Sequence, residues 1–161
     1  MNELIGIDCR KFNIDDFPIY QSWFRDPELN QQLGPMDETW LKHIISDKTG
    51  AQYSFFSSDM LIAVAGVVFP NTHSTYYYLT DIAVKPTRRS QGIGTQVLGQ
   101  LLSRPDLKQT REWRAAVSPE NIAGIRLLRG SGWRRVITGD QQDALIMFEW
   151  LGREMRWTPA C

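Results

Sequence analysis

The chain is poor in the residues that build disulfide frameworks and metal sites. Among 161 residues there are two cysteines, Cys9 and Cys161, and two histidines, His43 and His73. So few thiols suggest no disulfide framework, and they match no zinc-site spacing; no metal is expected, and a reducing cytosol suits the composition. An excess of either charge is also missing. Eighteen basic residues balance eighteen acidic ones, for a formal net charge of +0. General nucleic-acid binding calls for a basic face, so the balance argues against it and leaves only a local patch open. Long apolar runs are absent as well. The longest, Met60 to Phe69, is too short to span a bilayer, and the N-terminus lacks the basic and apolar regions of a signal peptide. Repeats, low-complexity stretches and linkers are not evident either.

What is present is an ordinary globular composition, 42% hydrophobic and 22% charged. The length predicts one domain over residues 1–161 with a sizeable core. Residues 151–161 read as a C-terminal tail, although Trp157 hints that it packs. The chain is organised around Val84-Lys85-Pro86-Thr87-Arg88-Arg89-Ser90-Gln91-Gly92-Ile93-Gly94-Thr95. Before this stretch, Tyr76 to Ala83 is aromatic and β-prone. After it, Ile93, Val97, Leu98, Leu101 and Leu102 form an apolar stripe at helical spacing. The loop therefore joins a strand to a helix start, where unpaired N–H groups and the helix dipole attract anions. Gly92 and Gly94 allow close approach to the main chain, and Arg88 and Arg89 add charge suited to phosphate. These features describe a pyrophosphate cradle. No Lys follows Gly94, which excludes a P-loop, and Val97 stands where a dinucleotide fingerprint needs a small residue.

Taken in order, Ile5 to Phe12 reads as a first strand. Asn13 or Asp15 caps a helix carrying Phe17, Tyr20, Trp23 and Phe24 on one face, and Asp26-Pro27 ends it. Asp37-Glu38 opens a second helix with Trp40, Leu41, Ile44 and Ile45 as its apolar stripe. These aromatics are expected in the core, with an acceptor pocket wall as the alternative. Gln52–Ser57 and Leu61–Phe69 read as a hairpin turning at Ser58-Asp59. Tyr76–Val84 is the next strand, followed by the loop and a helix to about Ser103 that Pro105 stops. Trp113–Val117 is a fifth strand. Ser118 is expected to cap the next helix, with Pro119 at its first position and Gly130 to Gly132 at its end. Trp133–Thr138 and Ala144–Trp150 form a final antiparallel pair around Gly139-Asp140.

Two motifs carry a resemblance. Arg89-x-x-Gly92-x-Gly94, preceded by Val84-x-Pro86, is similar to the acyl-CoA signature of the GNAT superfamily of N-acetyltransferases. Asn121-x-x-x-Ile125-x-Leu127-Leu128-x-x-x-Gly132-Trp133 resembles the second signature of that superfamily. The order of elements also looks like it over nearly the whole chain. The resemblance implies a GNAT-like α/β domain, with a central mixed, mostly antiparallel sheet of six to seven strands flanked by helices. It implies acetyl-CoA as cosubstrate and a small-molecule or peptide amine as acceptor, in a monomer or homodimer with no membrane partner. Ile82, Ala83 and Val84 would offer main-chain groups to the pantetheine arm, and Arg89, Ser90, Gln91, Gly92, Ile93, Gly94 and Thr95 would surround the pyrophosphate. Asn121 would contact the pantetheine or adenosine part. The acetyl carbonyl would sit where the fourth and fifth strands splay apart, with a main-chain N–H near Val84 or Ala83 facing the developing oxyanion.

The sequence departs from that pattern at Leu128, where the family often places a Tyr that protonates the leaving thiolate. A thiol pKa near ~8.5 lets the thiolate leave unassisted. Ser118 and the Tyr76-Tyr77-Tyr78 run, Tyr78 among them, are the replacement candidates. Capping and sheet packing are the structural alternatives. For the base, Ala116 replaces the carboxylate that one branch uses on the fifth strand, which leaves Asp81 on the fourth. Strand alternation puts Asp81 on the face of Leu79 and Ala83. Asp81 is the candidate base or amine-binding anion, with a structural hydrogen-bonding role as the alternative; Glu38, Asp26 and His73 are outside candidates. The rival readings are a non-catalytic acyl-CoA-binding or regulatory module of the same fold and a nucleotide-binding protein of another fold.

Overall fold

The computed structural model describes residues 6–137 and 145–152. The expected turn at Gly139-Asp140, the strand start at Ala144 and the tail beyond Gly152, with Trp157 and Cys161, lie outside the described residues. Seven strands form one sheet in the order β1-β2-β3-β4-β5-β7-β6. They are β1 (Asp8–Lys11), β2 (Gly50–Ser57), β3 (Met60–Val68), β4 (Tyr77–Val84), β5 (Glu112–Val117), β6 (Arg134–Arg135) and β7 (Ile146–Leu151). Every neighbouring pair is antiparallel except β4 and β5. A parallel pair needs a crossover, and α4 (Ile93–Leu102) supplies it. The β2–β3 turn is tight, with Ser58 at φ 47° and Asp59 at φ 65°, a pair of left-handed residues suited to a two-residue hairpin.

Each face of the sheet has its own core. Val97, Leu98 and Leu101 of α4 and Leu128 of α5 (Ile122–Gly130) pack with Tyr53, Phe55, Ala63, Ala65, Tyr77, Trp113 and Phe148. Val64 lies between Ala63 and Ala65 and packs instead with Leu61, Ala83, Phe17, Tyr20 and Trp23, so α1 (Phe17–Ser22) covers the other face. There Tyr20 is boxed by Phe12, Trp23, Phe24 and Trp40, with ring centroids 5.1–5.9 Å away. The aromatic face is core, as the spacing suggested.

Three boundaries differ from the sequence expectation. Asp26-Pro27 ends the first helical stretch, as expected, and also opens another: Asp26 Oδ2 accepts from Leu29 N at 3.0 Å, and Pro27 starts α2 (Pro27–Leu33). Pro fits this position because a first-turn N–H has no acceptor within the helix, so its loss costs nothing. Asn121, not Ser118, caps α5: its Oδ1 accepts from Gly124 N at 2.9 Å, and Pro119 precedes the helix. The first helix splits into a 3-10 turn capped by Asn13, then α1, then a second 3-10 turn at Trp23–Arg25. The helix opened at Asp37 is α3 (Glu38–Ser46), with Asp37 Oδ1 accepting from Trp40 N at 3.0 Å.

Beneath these helices Asp16 is buried and fully engaged. Arg10 donates a fork of two 2.8 Å bonds to it, Ser54 donates at 2.8 Å and Asn13 N at 3.0 Å. This knot ties β1, the first 3-10 turn and β2.

Candidate active site

The site is made by the sheet failing to close. β4 and β5 pair only at Tyr77↔Trp113, Tyr78↔Arg114 and Leu79↔Ala115, and beyond Leu79 the two strands part. At the same level β4 is irregular against β3. Gly66 pairs with Asp81 and Val67 with Leu79, which leaves Thr80 as an extra residue. Such a bulge rotates the strand and resets its faces. Tyr77 and Leu79 point to the α4–α5 core, and Ile82 and Val84 pack there too, while Ala83 lies in the opposite core. Asp81 therefore shares a face with Ala83 but not with Leu79, which corrects the placement from simple alternation. The gap opens a cleft of about 570 Å³ that reaches Leu127 and Leu128 of α5 on one face and Gln31 and Gln32 of α2 on the other. It passes through the sheet.

Along the gap, Lys85 N donates to Ile62 O of β3 at 2.8 Å. Main-chain groups alternate between the two edges of a strand. The N–H and C=O of Ala83 and Asp81 accordingly face β3, and those of Ile82 and Val84 face the gap. Of the three expected pantetheine contacts, Ile82 and Val84 are the ones with free polar edges.

The loop before α4 leads into a helix start that packs at Gly94 against Leu127, a residue of the cleft wall. Ser90 (φ 63°) and Gly92 (φ 77°) both have left-handed backbones. A Cβ on Gly92 would meet nothing within 4 Å, so the main chain there faces open space. The first-turn N–H groups of α4 have no acceptor within the helix. Gly94 does a different job from Gly92: a Cβ there would touch Leu127 at 3.4 Å, so its small size sets the approach of α5. Ile93 is buried in the core and contributes main chain only, whereas Ser90, Gln91 and Thr95 are exposed. The Arg89 guanidinium turns away to α2, with ion pairs to Asp26 at 2.9 Å and Glu28 at 3.5 Å. Those acids hold it against α2, which the sequence did not suggest. Asn121 lines the cleft while it caps α5.

Asp81 sits in the gap with three neighbours. Thr80 Oγ donates to its Oδ1 at 2.6 Å and Gln52 Nε2 donates to its Oδ2 at 2.9 Å. Burial pushes the Asp81 pKa up, and these two bonds pull it part of the way back. The phenol of Tyr20 is also pushed up, by burial first and then by the Asp81 charge. Gln52 of β2, Gly66 of β3 and Asp81 of β4 are in register across three strands. Gln52, Gly66 and Thr80 were missed from the sequence. The available signal was Gly66 itself, a lone glycine inside an apolar strand, which marks a bulge or close approach.

The other candidates scatter. Ser118 lines the cleft and accepts weakly from Glu120 N at 3.4 Å, so it is not the helix cap. Tyr77 is core, stacked on Trp113 at 4.8 Å with its hydroxyl taken by Gln109 N at 3.0 Å. Tyr76 lies under the Arg114 guanidinium. Tyr78 is half-buried, and its oxygen accepts from Ala116 N–H, a group that the parting of β4 and β5 would otherwise strand; burial pushes its pKa up. Leu128 is buried in the larger core and lines the cleft.

A family model described as the acetyltransferase (GNAT) family matches residues 17–133. The chain belongs to this family. The uncharacterized N-acetyltransferase YfmK of Bacillus subtilis is 23% identical over 134 residues, 81% of this chain and 87% of that protein. A Vibrio cholerae spermidine N-acetyltransferase, solved with CoA and spermine, superposes with a TM-score of 0.71 at 15% identity, covering 90% of this chain and 95% of that one. An aminoglycoside acetyltransferase solved with coenzyme A gives 0.75 at 14% identity, covering 92% and 96%. At such identity the two structures speak for the fold, and the mixed sheet flanked by helices is the GNAT fold. The matched span includes the two stretches that resemble GNAT signatures, from Arg89 to Gly94 and from Asn121 to Trp133.

Proposed function

We propose that the protein is an acetyl-CoA-dependent N-acetyltransferase that moves acetyl to a primary amine by direct attack in a ternary complex. The observation that carries this is the through-sheet cleft with a carboxylate, Asp81, inside it, beside a helix start whose Gly94 packs against the cleft-lining Leu127. The cradle fits the cosubstrate. Open main chain at Gly92 and the free first-turn N–H groups suit a pyrophosphate, and the free edges of Ile82 and Val84 suit an arm that adds as a strand. Acetyl-CoA supplies the activated acyl group. In this reading the Ile82 or Val84 edge holds the carbonyl, Asn121 borders the arm, and Asp81 takes a proton from the acceptor ammonium. Leu128 offers no acid, and the thiolate leaves without one, its thiol pKa being near ~8.5. The named neighbours, one holding CoA and spermine and the other coenzyme A, support the same class of reaction.

The test is a thermal-shift titration with acetyl-CoA, CoA, ATP and NAD. Binding at a hundredfold excess over Kd raises stability by about 2.7 kcal/mol. Acetyl-CoA and CoA are expected to shift melting, and ATP and NAD not. Gly92→Glu, which puts a negative charge and a Cβ on a left-handed residue at the cradle, is expected to abolish the shift. Gly92→Asn, which tolerates that backbone, should retain most of it. No acetyl-CoA shift in the wild type would overturn the reading. Leu128 favours one rival, a sensor that binds but does not turn over, and release of CoA thiol with an amine present excludes it.

A further inference from the structure

The two arginines before α4 go separate ways. Arg88 stays with its loop, its Nε donating to Gln91 Oε1 at 3.1 Å. Arg89 leaves it. Its Nη2 donates to Asp26 Oδ2 at 2.9 Å, and its Nη1 lies 3.5 Å from Glu28 Oε2. Both arms of a rigid, forked side chain are thus engaged at the first turn of α2. The Asp26 oxygen that receives Arg89 also accepts from Leu29 N at 3.0 Å. One atom therefore caps the helix and ties it to a loop 63 residues further along the chain. Arg89 first, and the Leu29 N–H second, hold the Asp26 pKa below the ordinary carboxylate value, so the tie is charged at neutral pH. On its other side α2 is anchored by Leu29, buried with Phe17, Tyr20 and Trp23. The same helix brings Glu28, Gln31, Gln32 and Leu33 to the through-sheet cleft. At seven residues it is too short to hold its shape unaided, since isolated helices below about 12–15 residues are marginal in water. Its place in the cleft wall depends on such anchors.

We infer that Arg89 is a positioning residue for the acceptor: it braces α2 so that Gln31 and Gln32 form a fixed wall of the cleft, and its guanidinium is not a ligand of the cosubstrate's phosphates. The inference rests on the transferase reading and goes beyond it. In that reading the donor's arm follows the free edge of β4, and its diphosphate lies at the start of α4, which packs on α5 through Gly94 and Leu127. The α2 side of the cleft is left for the acceptor. Direct attack needs the amine in register with the carbonyl, and a misplacement of about 1 Å can cost roughly a hundredfold in rate. A wall braced from the donor's own loop keeps the two reactants in one frame. Turning to the phosphates would strip Asp26 and Glu28 of their cation. Two unpaired carboxylates would then stand one side chain away from an anionic diphosphate, an arrangement that like-charge repulsion opposes.

Two measurements test the brace. The first needs no turnover: hydrogen exchange at the Asn30 and Gly34 amides, which donate to Asp26 O and Asn30 O along α2. Both are expected to exchange about 5-fold faster in Arg89→Met and in Asp26→Asn, the upper range for a part-exposed ion pair. Asn caps a helix as well as Asp does, so Asp26→Asn removes the tie and keeps the cap. The double variant should be no faster than either single one, and Arg89→Lys should recover part of the loss. The second measurement is kinetic, at saturating acetyl-CoA, with n-hexylamine, glycinamide and 1,4-diaminobutane as acceptors. Arg89→Met and Asp26→Asn should each raise the acceptor KM about 5-fold, and the double variant no further. An Arg89 that held phosphate would behave otherwise. Arg89→Met would then raise only the KM for acetyl-CoA, and Asp26→Asn, which frees the guanidinium, would lower it. That pattern would overturn the inference, as would unaltered exchange in both variants, or faster exchange with an unchanged acceptor KM. Faster exchange in a protein that releases CoA thiol with none of the three amines would tell against the transferase reading and leave the brace of α2 standing.

Discussion

Asp81→Asn is expected to lower kcat/KM for every amine acceptor by about 100- to 10,000-fold, the range for loss of a positioned general base, while acetyl-CoA binding stays unchanged. The substitution keeps the shape and removes the proton acceptor. The cosubstrate contacts argued above lie on the loop before α4, on the gap edges of Ile82 and Val84 and at Asn121, none of which Asp81 touches with its carboxylate. The pH profile carries the diagnostic detail. Burial holds the Asp81 pKa above the ordinary carboxylate range, net of the Thr80 and Gln52 bonds. The acidic limb of kcat/KM in the wild type should therefore lie above about pH 4, and in the Asn variant it should vanish. Stability should move the other way. A carboxyl with a folded pKa above its unfolded one binds more protons when folded, so stability falls as pH rises through that interval. Asp81→Asn removes this penalty, and its melting temperature at neutral pH is expected to equal or exceed that of the wild type. Release of CoA thiol, followed against pH at saturating acetyl-CoA, checks the first claim. A variant that keeps wild-type turnover would show that solvent deprotonates the amine and that Asp81 is structural.

The strand–loop–helix before α4 was legible in the sequence because its signals are local. Gly92 and Gly94, the Arg pair and the stripe from Ile93 to Leu102 fall within one short window, and main-chain geometry follows from residue type there. The same holds for the hairpin at Ser58-Asp59. The surroundings of Asp81 were not legible, because they are assembled from β2, β3 and β4 at Gln52, Gly66 and Thr80. Strand alternation predicts the face of Asp81 only if the strand is regular, and one extra residue at Thr80 reverses it relative to Leu79. The start of α5 was misplaced at Ser118, and the start of α2 was not anticipated, for a related reason. Asp26-Pro27 and Ser118-Pro119-Glu120 carry similar start signals, yet only the first pair caps and opens a helix. The choice at the second was made by Asn121, three residues before Gly124 N, and by the need to carry Leu128 into the core. Arg89 teaches the complementary lesson: its position in the motif was readable, its partners on α2 were not.

Asp16→Ala is expected to destabilise the fold by about 3 kcal/mol, near the low end for breaking a buried charge pair. The low end applies because Arg10 is 45% exposed and its charge can rehydrate. Ser54, fully buried, has no such recourse, and its hydroxyl loses its acceptor. For a chain of this length the loss corresponds to a fall in Tm of roughly 6–12 °C. The pH dependence separates charge from packing. Burial raises the Asp16 pKa, but the Arg10 fork, Asn13 N–H and the Ser54 hydroxyl outweigh it and hold the pKa below the ordinary value. Such a carboxylate contributes stability that is fully present above its unfolded pKa, about 3.9, and is lost as pH falls through the folded one. The gap in Tm between wild type and Asp16→Ala should therefore be constant from pH 5 to pH 7 and narrow only below about pH 4. Thermal melts across that range provide the check. A gap that persists undiminished in acid would mean that the carboxylate's charge contributes nothing and that Asp16 acts by filling space between β1 and β2. The expected narrowing would instead identify the charged Arg10–Asp16–Ser54 knot as what ties β1 and β2 together beneath the first helices.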